Sequence, residues 1–186
     1  MESKPPNCYF TVKDYFNTPE DVRMELIDGK FYDMAPPNLR HQTLVGELFA
    51  SIHDHIKRKG GPCRVYPAPF GVQLSEDENT VVEPDISVIC NPDKLTEKGC
   101  LGAPDWIIEI VSPSDPARDY IMKLKKYLSA GVREYWIVDP ASSKVTVYDL
   151  TNERVIPVLY TFNDTVKAGI YDDLSIDFSE ITASLK

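Results

Sequence analysis

Two short, almost unbroken apolar runs, Trp106–Val111 and Tyr135–Val138, stand on either side of a segment with helical periodicity. Strands that read as continuous hydrophobic runs are buried on both faces. Two of them joined through a helix pair side by side in parallel, as a right-handed crossover. A chain built around this unit folds as a mixed α/β domain, and tight turns elsewhere predict antiparallel neighbours for the pair. The exception within the first run is Glu109. A carboxylate in a doubly buried strand carries a desolvation cost unless a cation or hydrogen bonds offset it.

The remaining elements follow from periodicity and turn chemistry. Tyr9–Tyr15 reads as a short helix capped by Thr11, and Met24–Tyr32 as a hairpin turning on Asp28-Gly29. Leu39–Lys59 carries Leu44, Val45, Leu48, Phe49, Ile52 and Ile56 at helical spacing and stops at Gly60-Gly61. Val65–Leu74 reads as a strand broken by Pro67 and Pro69, and the acidic turn Ser75–Thr80 leads into a strand over Val81–Cys90. A second helix spans Asp115–Ala130, with Ser114 as cap, Pro116 in the first turn and Gly131 beyond its end. Lys144–Leu150 and Val155–Tyr160 pair across Asn152-Glu153, and the tail after Asp164 is weakly patterned. One domain over residues 1–186 is predicted, with a core from about 9 to 160 and a C-terminal extension over 161–186.

Composition narrows the function. Twenty Lys and Arg against 29 Asp and Glu give a net charge of −9, which repels phosphate at long range and leaves room only for a local basic groove or carboxylate-bound metal ions. No apolar run approaches the ~20 residues of a membrane span, and no apolar leader precedes the first elements, so a cytoplasmic chain off the membrane is expected. Cys8, Cys63, Cys90 and Cys100 lack the short ligand spacings of a zinc site and read as reduced thiols. There is no Gly-rich phosphate loop and no nucleophile elbow, which argues against a P-loop nucleotidase and a Ser- or Cys-based hydrolase.

Two further acids accompany Glu109. Asp85 opens the apolar run Ile86–Ile89 after Glu83-Pro84, and Glu25 sits between Met24 and Leu26. Read singly, Asp85 is a strand-entry residue and Glu25 an exposed hairpin residue. Together, three acids on separate strands can converge at one sheet end, and hard oxygen ligands suit Mg²⁺ or Mn²⁺. On the second helix Lys123 and Lys125 occupy opposite borders of the apolar face formed by Tyr120, Ile121, Leu124, Tyr127 and Leu128. Periodicity does not choose between them. His53 and His55 point different ways on their helix, and neither reads as a ligand.

Pro84-Asp85 followed 24 residues later by Glu109-Ile110-Val111 resembles the PD-(D/E)XK nuclease signature with its lysine replaced by Val111. The wider pattern MELIDGKFYDMAPPNLRHQ, VEPDISVI, DWIIEIVSPS and RDYIMKLKKYLSAGVREYWIVDP resembles the putative restriction endonuclease family of that superfamily, the type common in cyanobacteria, over roughly Tyr9–Tyr160. The resemblance implies a restriction-endonuclease-like fold, a central mixed β-sheet flanked by helices. It implies Asp85 and Glu109 as metal ligands and Glu25 as an additional acid. It also implies a lysine displaced to the following helix, which favours Lys123 over Lys125. His41 matches a family position with a less defined role, a lone histidine there being otherwise an ordinary residue at a helix start.

These residues predict a metal-dependent phosphodiesterase acting on nucleic acid, an endodeoxyribonuclease, with Mg²⁺ or Mn²⁺ held by Asp85, Glu109 and Glu25 and with Lys123 beside the reacting water. The alternative is a nuclease-like fold that no longer cuts and serves as a binding or assembly module, which the net charge favours. A homodimer with closed two-fold symmetry is the expected assembly.

Overall fold

The computed structural model describes residues 9–19, 22–74, 79–112, 118–183 and 185. In chain order the strands are β1 (Met24–Ile27), β2 (Lys30–Asp33), β3 (Arg64–Pro67), β4 (Val72–Gln73), β5 (Val81–Val82), β6 (Ile86–Ile89), β7 (Leu95–Thr96), β8 (Gly99–Leu101), β9 (Trp106–Ile110), β10 (Glu134–Asp139), β11 (Lys144–Asp149), β12 (Val158–Thr161), β13 (Thr165–Lys167) and β14 (Ser175–Asp177). The α-helices are α1 (Val12–Phe16), α2 (Leu39–Lys59), α3 (Leu124–Ala130) and α4 (Phe178–Ala183). A π-helical segment, Arg118–Lys123, runs directly into α3.

Where one central sheet is expected, the described residues form two six-stranded sheets and a small hairpin. One sheet has the order β12-β11-β10-β9-β6-β3 and the other β2-β1-β5-β4-β8-β7. In the first, β9 and β10 run parallel with Glu109 opposite Ile137, while β6, β3, β11 and β12 add antiparallel. The predicted crossover therefore lies at the sheet's centre. Its alternation sorts the side chains of β9. Trp106, Ile108 and Ile110 pack with Leu44, Leu48 and Ile52 of α2, whereas Ile107 and Val111 pack on the opposite face with Tyr127 of α3 and Ile27, Val72 and Val82 of the second sheet. Glu109 shares the parity of Ile107 and Val111, so it points toward α3.

Prolines explain why two predicted strands each divide. Val65–Leu74 becomes β3, which ends at Pro67, and β4, with Pro69 between them, and Val81–Cys90 becomes β5 and β6, separated by Glu83-Pro84-Asp85. Pro84 has no N–H for a ladder, so the chain leaves one sheet there and enters the other. Asp85 thus stands at the junction of the two sheets, with its carbonyl accepting from Ala68 N at 3.0 Å.

Local signals hold elsewhere. Thr11 and Asp14 form a reciprocal capping box on α1. Asp28 and Gly29 both take positive φ, as a tight hairpin turn requires, and Gly131 ends α3 in the left-handed conformation. Of the second helix as predicted, Ser114, Asp115 and Pro116 lie outside the described residues, as do Ser75–Glu78 of the acidic turn. The weakly patterned tail forms β13, β14 and α4, and Phe162, Val166, Ile176, Phe178 and Ile181 join the α2 side of the core. The expectation of reduced thiols throughout is corrected for one pair. Cys63 and Cys90 flank the β3–β6 ladder directly opposite one another and are joined in a disulfide, while Cys100 is a free, buried thiol. No helix among the described residues is long and apolar enough to cross a membrane.

Candidate active site

The acids and bases nominated from sequence line one cavity of about 920 Å³. Glu25 comes from β1, His41 from the first turn of α2, Asp85 from the junction, Glu109 from β9 and Lys123 from the end of the π-helical segment. Lys125 is exposed and does not line it.

Helical spacing explains how one short segment supplies two groups. Residues four apart share a face, so Asp119 and Lys123 are both buried on the same side. Lys123 Nζ lies 2.8 Å from Glu109 Oε1, 2.9 Å from Glu25 Oε1 and 3.7 Å from Asp119 Oδ1. One turn further on, the Tyr127 hydroxyl donates to the same Glu109 oxygen at 2.6 Å. Glu25 Oε1 also accepts from the backbone N–H of Glu83 at 3.0 Å. The carboxylate in the apolar strand therefore has both a cation and a hydroxyl donor, as its burial requires.

Asp85 belongs to a second group in the same cavity. Its Oδ2 accepts from Ile110 N at 2.7 Å and lies 3.2 Å from His41 Nε2. The α2 start is fixed by Asn38, whose side chain accepts from His41 N at 2.9 Å. Among the described residues no three His, Cys, Asp or Glu side chains form a ready-made metal cluster, since Lys123 stands between Glu25 and Glu109. The donor chemistry nonetheless fits a hard divalent ion. The hydrogen bonds to Glu109 fall on Oε1 and the contacts to Asp85 on Oδ2, so each carboxylate keeps a second oxygen of the kind such an ion prefers.

Burial dominates the electrostatics. It raises Glu109 well above the usual carboxylate range, against the pull of Lys123, and pushes Asp119 up to about 6. Burial also works against charge on Lys123, but Glu109, Glu25 and Asp119 outweigh it and hold its ammonium well above the ordinary lysine value. Lys123 is therefore a fixed positive charge and no base. His41 is likewise raised despite burial, through Asp85 and the Ile110 backbone.

Three features escape a reading of the sequence. Tyr127 belongs to an apolar face by periodicity, and only the tertiary fold brings its hydroxyl to Glu109. Asp119 is visible only as a neighbour of Lys123, four residues away. Glu134 is a buried carboxylate remote from the cavity, accepting from Trp136 Nε1 at 2.7 Å, Gly169 N at 2.8 Å and Ile170 N at 2.9 Å. Its place at the head of the apolar run Tyr135–Val138 is the one signal that could have found it.

The architecture is a restriction-endonuclease-like fold. It is similar, with a TM-score of 0.77 and 22% identity over 95% of this chain and 99% of the other, to the crystal structure of a putative nuclease belonging to DUF820 from Anabaena variabilis. The chain belongs to the Uma2 family, described as putative restriction endonuclease, whose model matches residues 12–179. An uncharacterized protein of Synechocystis sp. is 26% identical over 125 residues, which is 67% of this chain and 64% of that relative.

Proposed function

We propose that the cavity is the active site of a metal-dependent phosphodiesterase that cuts within DNA. The observation that carries this reading is Lys123, held as an ammonium between Glu109 and Glu25 in the cavity that Asp85 also lines. Asp85 and Glu109, with Glu25 as the additional acid, would hold Mg²⁺ or Mn²⁺. Bound there, such an ion lowers the pKa of its water and stabilises charge on phosphoryl oxygens.

The chain's own residues do the rest. Lys123, permanently charged, places a preorganised donor where negative charge grows in the transition state. The Tyr127 hydroxyl and the Glu83 backbone N–H fix Glu109 and Glu25, the two partners of that ammonium, so its direction costs little reorganisation. His41 holds the Asp85 carboxylate in place through Oδ2. In this reading water attacks the phosphorus directly, with no covalent intermediate.

One observation favours the second reading, a module that binds without cutting. Among the described residues the cavity wall carries six carboxylates, Glu25, Asp33, Asp85, Glu109, Asp119 and Asp139, against Arg23, Arg40, Arg118 and Lys123. A polyanion enters favourably only once metal offsets that excess. The test is cleavage of labelled DNA with Mg²⁺, with Mn²⁺ and with chelator, alongside calorimetric titration of each metal. Metal-dependent cleavage lost in Asp85→Ala supports the enzyme, and tight metal binding without cleavage supports the module.

We also propose a two-fold homodimer. The edge strand β12 leaves Val158 and Leu159 exposed, which favours cover by a second copy.

A further inference from the structure

The reacting groups are almost fully enclosed. Side-chain exposure is 1% for Glu25, 4% for Glu109 and 5% for Lys123, and it reaches only 13% for Asp85. A cavity of about 920 Å³ accepts a ligand of drug size, which corresponds to a nucleotide or two. Duplex DNA presents its phosphates on the ridges beside grooves roughly 12 Å and 6 Å wide, with both strands held in a stiff rod. Bringing one such phosphate to the enclosed Glu109 is therefore easier once the strands are parted. A single strand has no such constraint, since its backbone bends and its bases swing free.

The cations of the cavity wall, though outnumbered by its carboxylates, offer separate points of contact for phosphates. Arg40 stands exposed in the first turn of α2. Arg118 opens the π-helical segment, with its guanidinium 5.1 Å from the centroid of the Tyr32 ring and one N–H donating to the Asp33 carbonyl at 3.4 Å. These cations come from separate elements and line the same cavity, in a chain whose net charge is −9. Exposed Ala35, Pro36 and Pro37 also line it, giving an apolar rest for the face of a base.

We infer that the site takes single-stranded DNA, with Arg40 and Arg118 holding backbone phosphates on either wall while one phosphate descends to Asp85 and Glu109. This rests on the phosphodiesterase reading and adds to it the form of the substrate. Duplex DNA is then a substrate only at frayed ends, flaps or unpaired stretches.

The experiment uses the full chain, a fluorescein-labelled 16-nucleotide oligo(dT), a mixed-sequence strand of equal length and the blunt duplex of that strand. Fluorescence anisotropy with Ca²⁺ in place of Mg²⁺ measures binding, and gel assays with Mg²⁺ measure cleavage. The expected result is at least tenfold tighter binding of either single strand than of the duplex. The double variant Arg40→Ala/Arg118→Ala should lose at least tenfold in single-strand affinity. Its plot of log affinity against log salt should flatten by about 1.4, at about 0.7 for each phosphate no longer neutralised. Because Arg118 also packs on Tyr32, the single variant Arg40→Glu is measured too and should weaken binding without changing the melting temperature. Lys167→Ala, on β13, is the control and should leave binding unchanged. Equal or tighter binding and equal cleavage of the duplex would overturn this inference and leave the phosphodiesterase reading standing. Single-strand binding with no metal-dependent cleavage of any DNA would sink that reading while the strand preference stands. Failure to bind either form would remove both.

Discussion

The ammonium of Lys123 lies 2.8 Å from Glu109 Oε1, although the two residues belong to different elements and are 14 positions apart. Val111, two residues beyond Glu109, occupies the place where the nuclease signature carries its lysine, and it packs instead in the apolar core beside Tyr127. The cation therefore reaches the strand carboxylate from the following helix. The charge is supplied in space where the linear motif lacks it.

Replacing Lys123 has two separable effects. Lys123→Ala leaves Glu25, Glu109 and Asp119 buried without their cation, which should destabilise the metal-free protein by about 3–5 kcal/mol. In the fraction that stays folded, kcat should fall by about 10²–10³-fold, the loss typical of one preorganised transition-state donor, while the metal still binds. Urea denaturation, calorimetric metal titration and single-turnover cleavage resolve the two effects. Unchanged turnover would exclude Lys123 from the chemistry.

Asp85→Asn should abolish the response to divalent metal. In the wild-type protein Mg²⁺ or Mn²⁺ should raise the melting temperature by mass action on the folded state. The variant should show no such rise and no cleavage, with its fold intact by circular dichroism. A rise equal to that of the wild type would place the ion elsewhere.

Asp119 sets a pH dependence of known sign. Burial, with Glu25 and Asp85 adding to it, lifts its carboxyl to about 6 from 3.8, so between these values the folded chain keeps a proton that the unfolded chain has lost. Its contribution to stability is lost as pH rises through that window and changes no further above it. Asp119→Asn cannot ionise. Its stability relative to wild type should therefore improve from pH 4 to pH 6 and then level off, as read from urea midpoints at half-unit steps.

Glu134 should matter for folding and little for the site. Glu134→Ala strands the Trp136 indole N–H and the Gly169 and Ile170 amides, at about 1–3 kcal/mol for each donor left buried and unpaired. A loss of about 3 kcal/mol or more in urea, with kcat unchanged in the folded fraction, is expected. An equal loss of activity would tie the tail to the cavity.

The exposed edge of β12 gives an assembly test. Light scattering at micromolar concentration should return twice the chain mass of 21.0 kDa, and Val158→Lys with Leu159→Lys should return it once. A monomeric wild type would remove the homodimer.

Much of this protein was decided by residues acting locally. The continuous apolar runs Trp106–Val111 and Tyr135–Val138 dictated a doubly covered parallel pair, because no other setting buries both faces of each strand. Leu39–Lys59 declared its helix by period and by Gly60, and Asp28-Gly29 its hairpin by the positive φ that few residues tolerate. Glu109 announced a site because a carboxylate among isoleucines requires a partner. The tertiary structure alone decided who that partner is. Lys123 and Lys125 are equivalent by periodicity, and only the π turn and the packing of α3 on β9 bury one and expose the other. The same is true of the second sheet, since Pro67, Pro69 and Pro84 mark where a strand breaks but not which sheet the chain joins next. It is true as well of the Cys63–Cys90 bond, which depends on a cross-strand register that no spacing reveals. Propensity, capping and turn chemistry act over a few residues and can be read in order along the chain. Which charges meet across a core depends on contacts between residues far apart in sequence, and those exist only once the chain has folded.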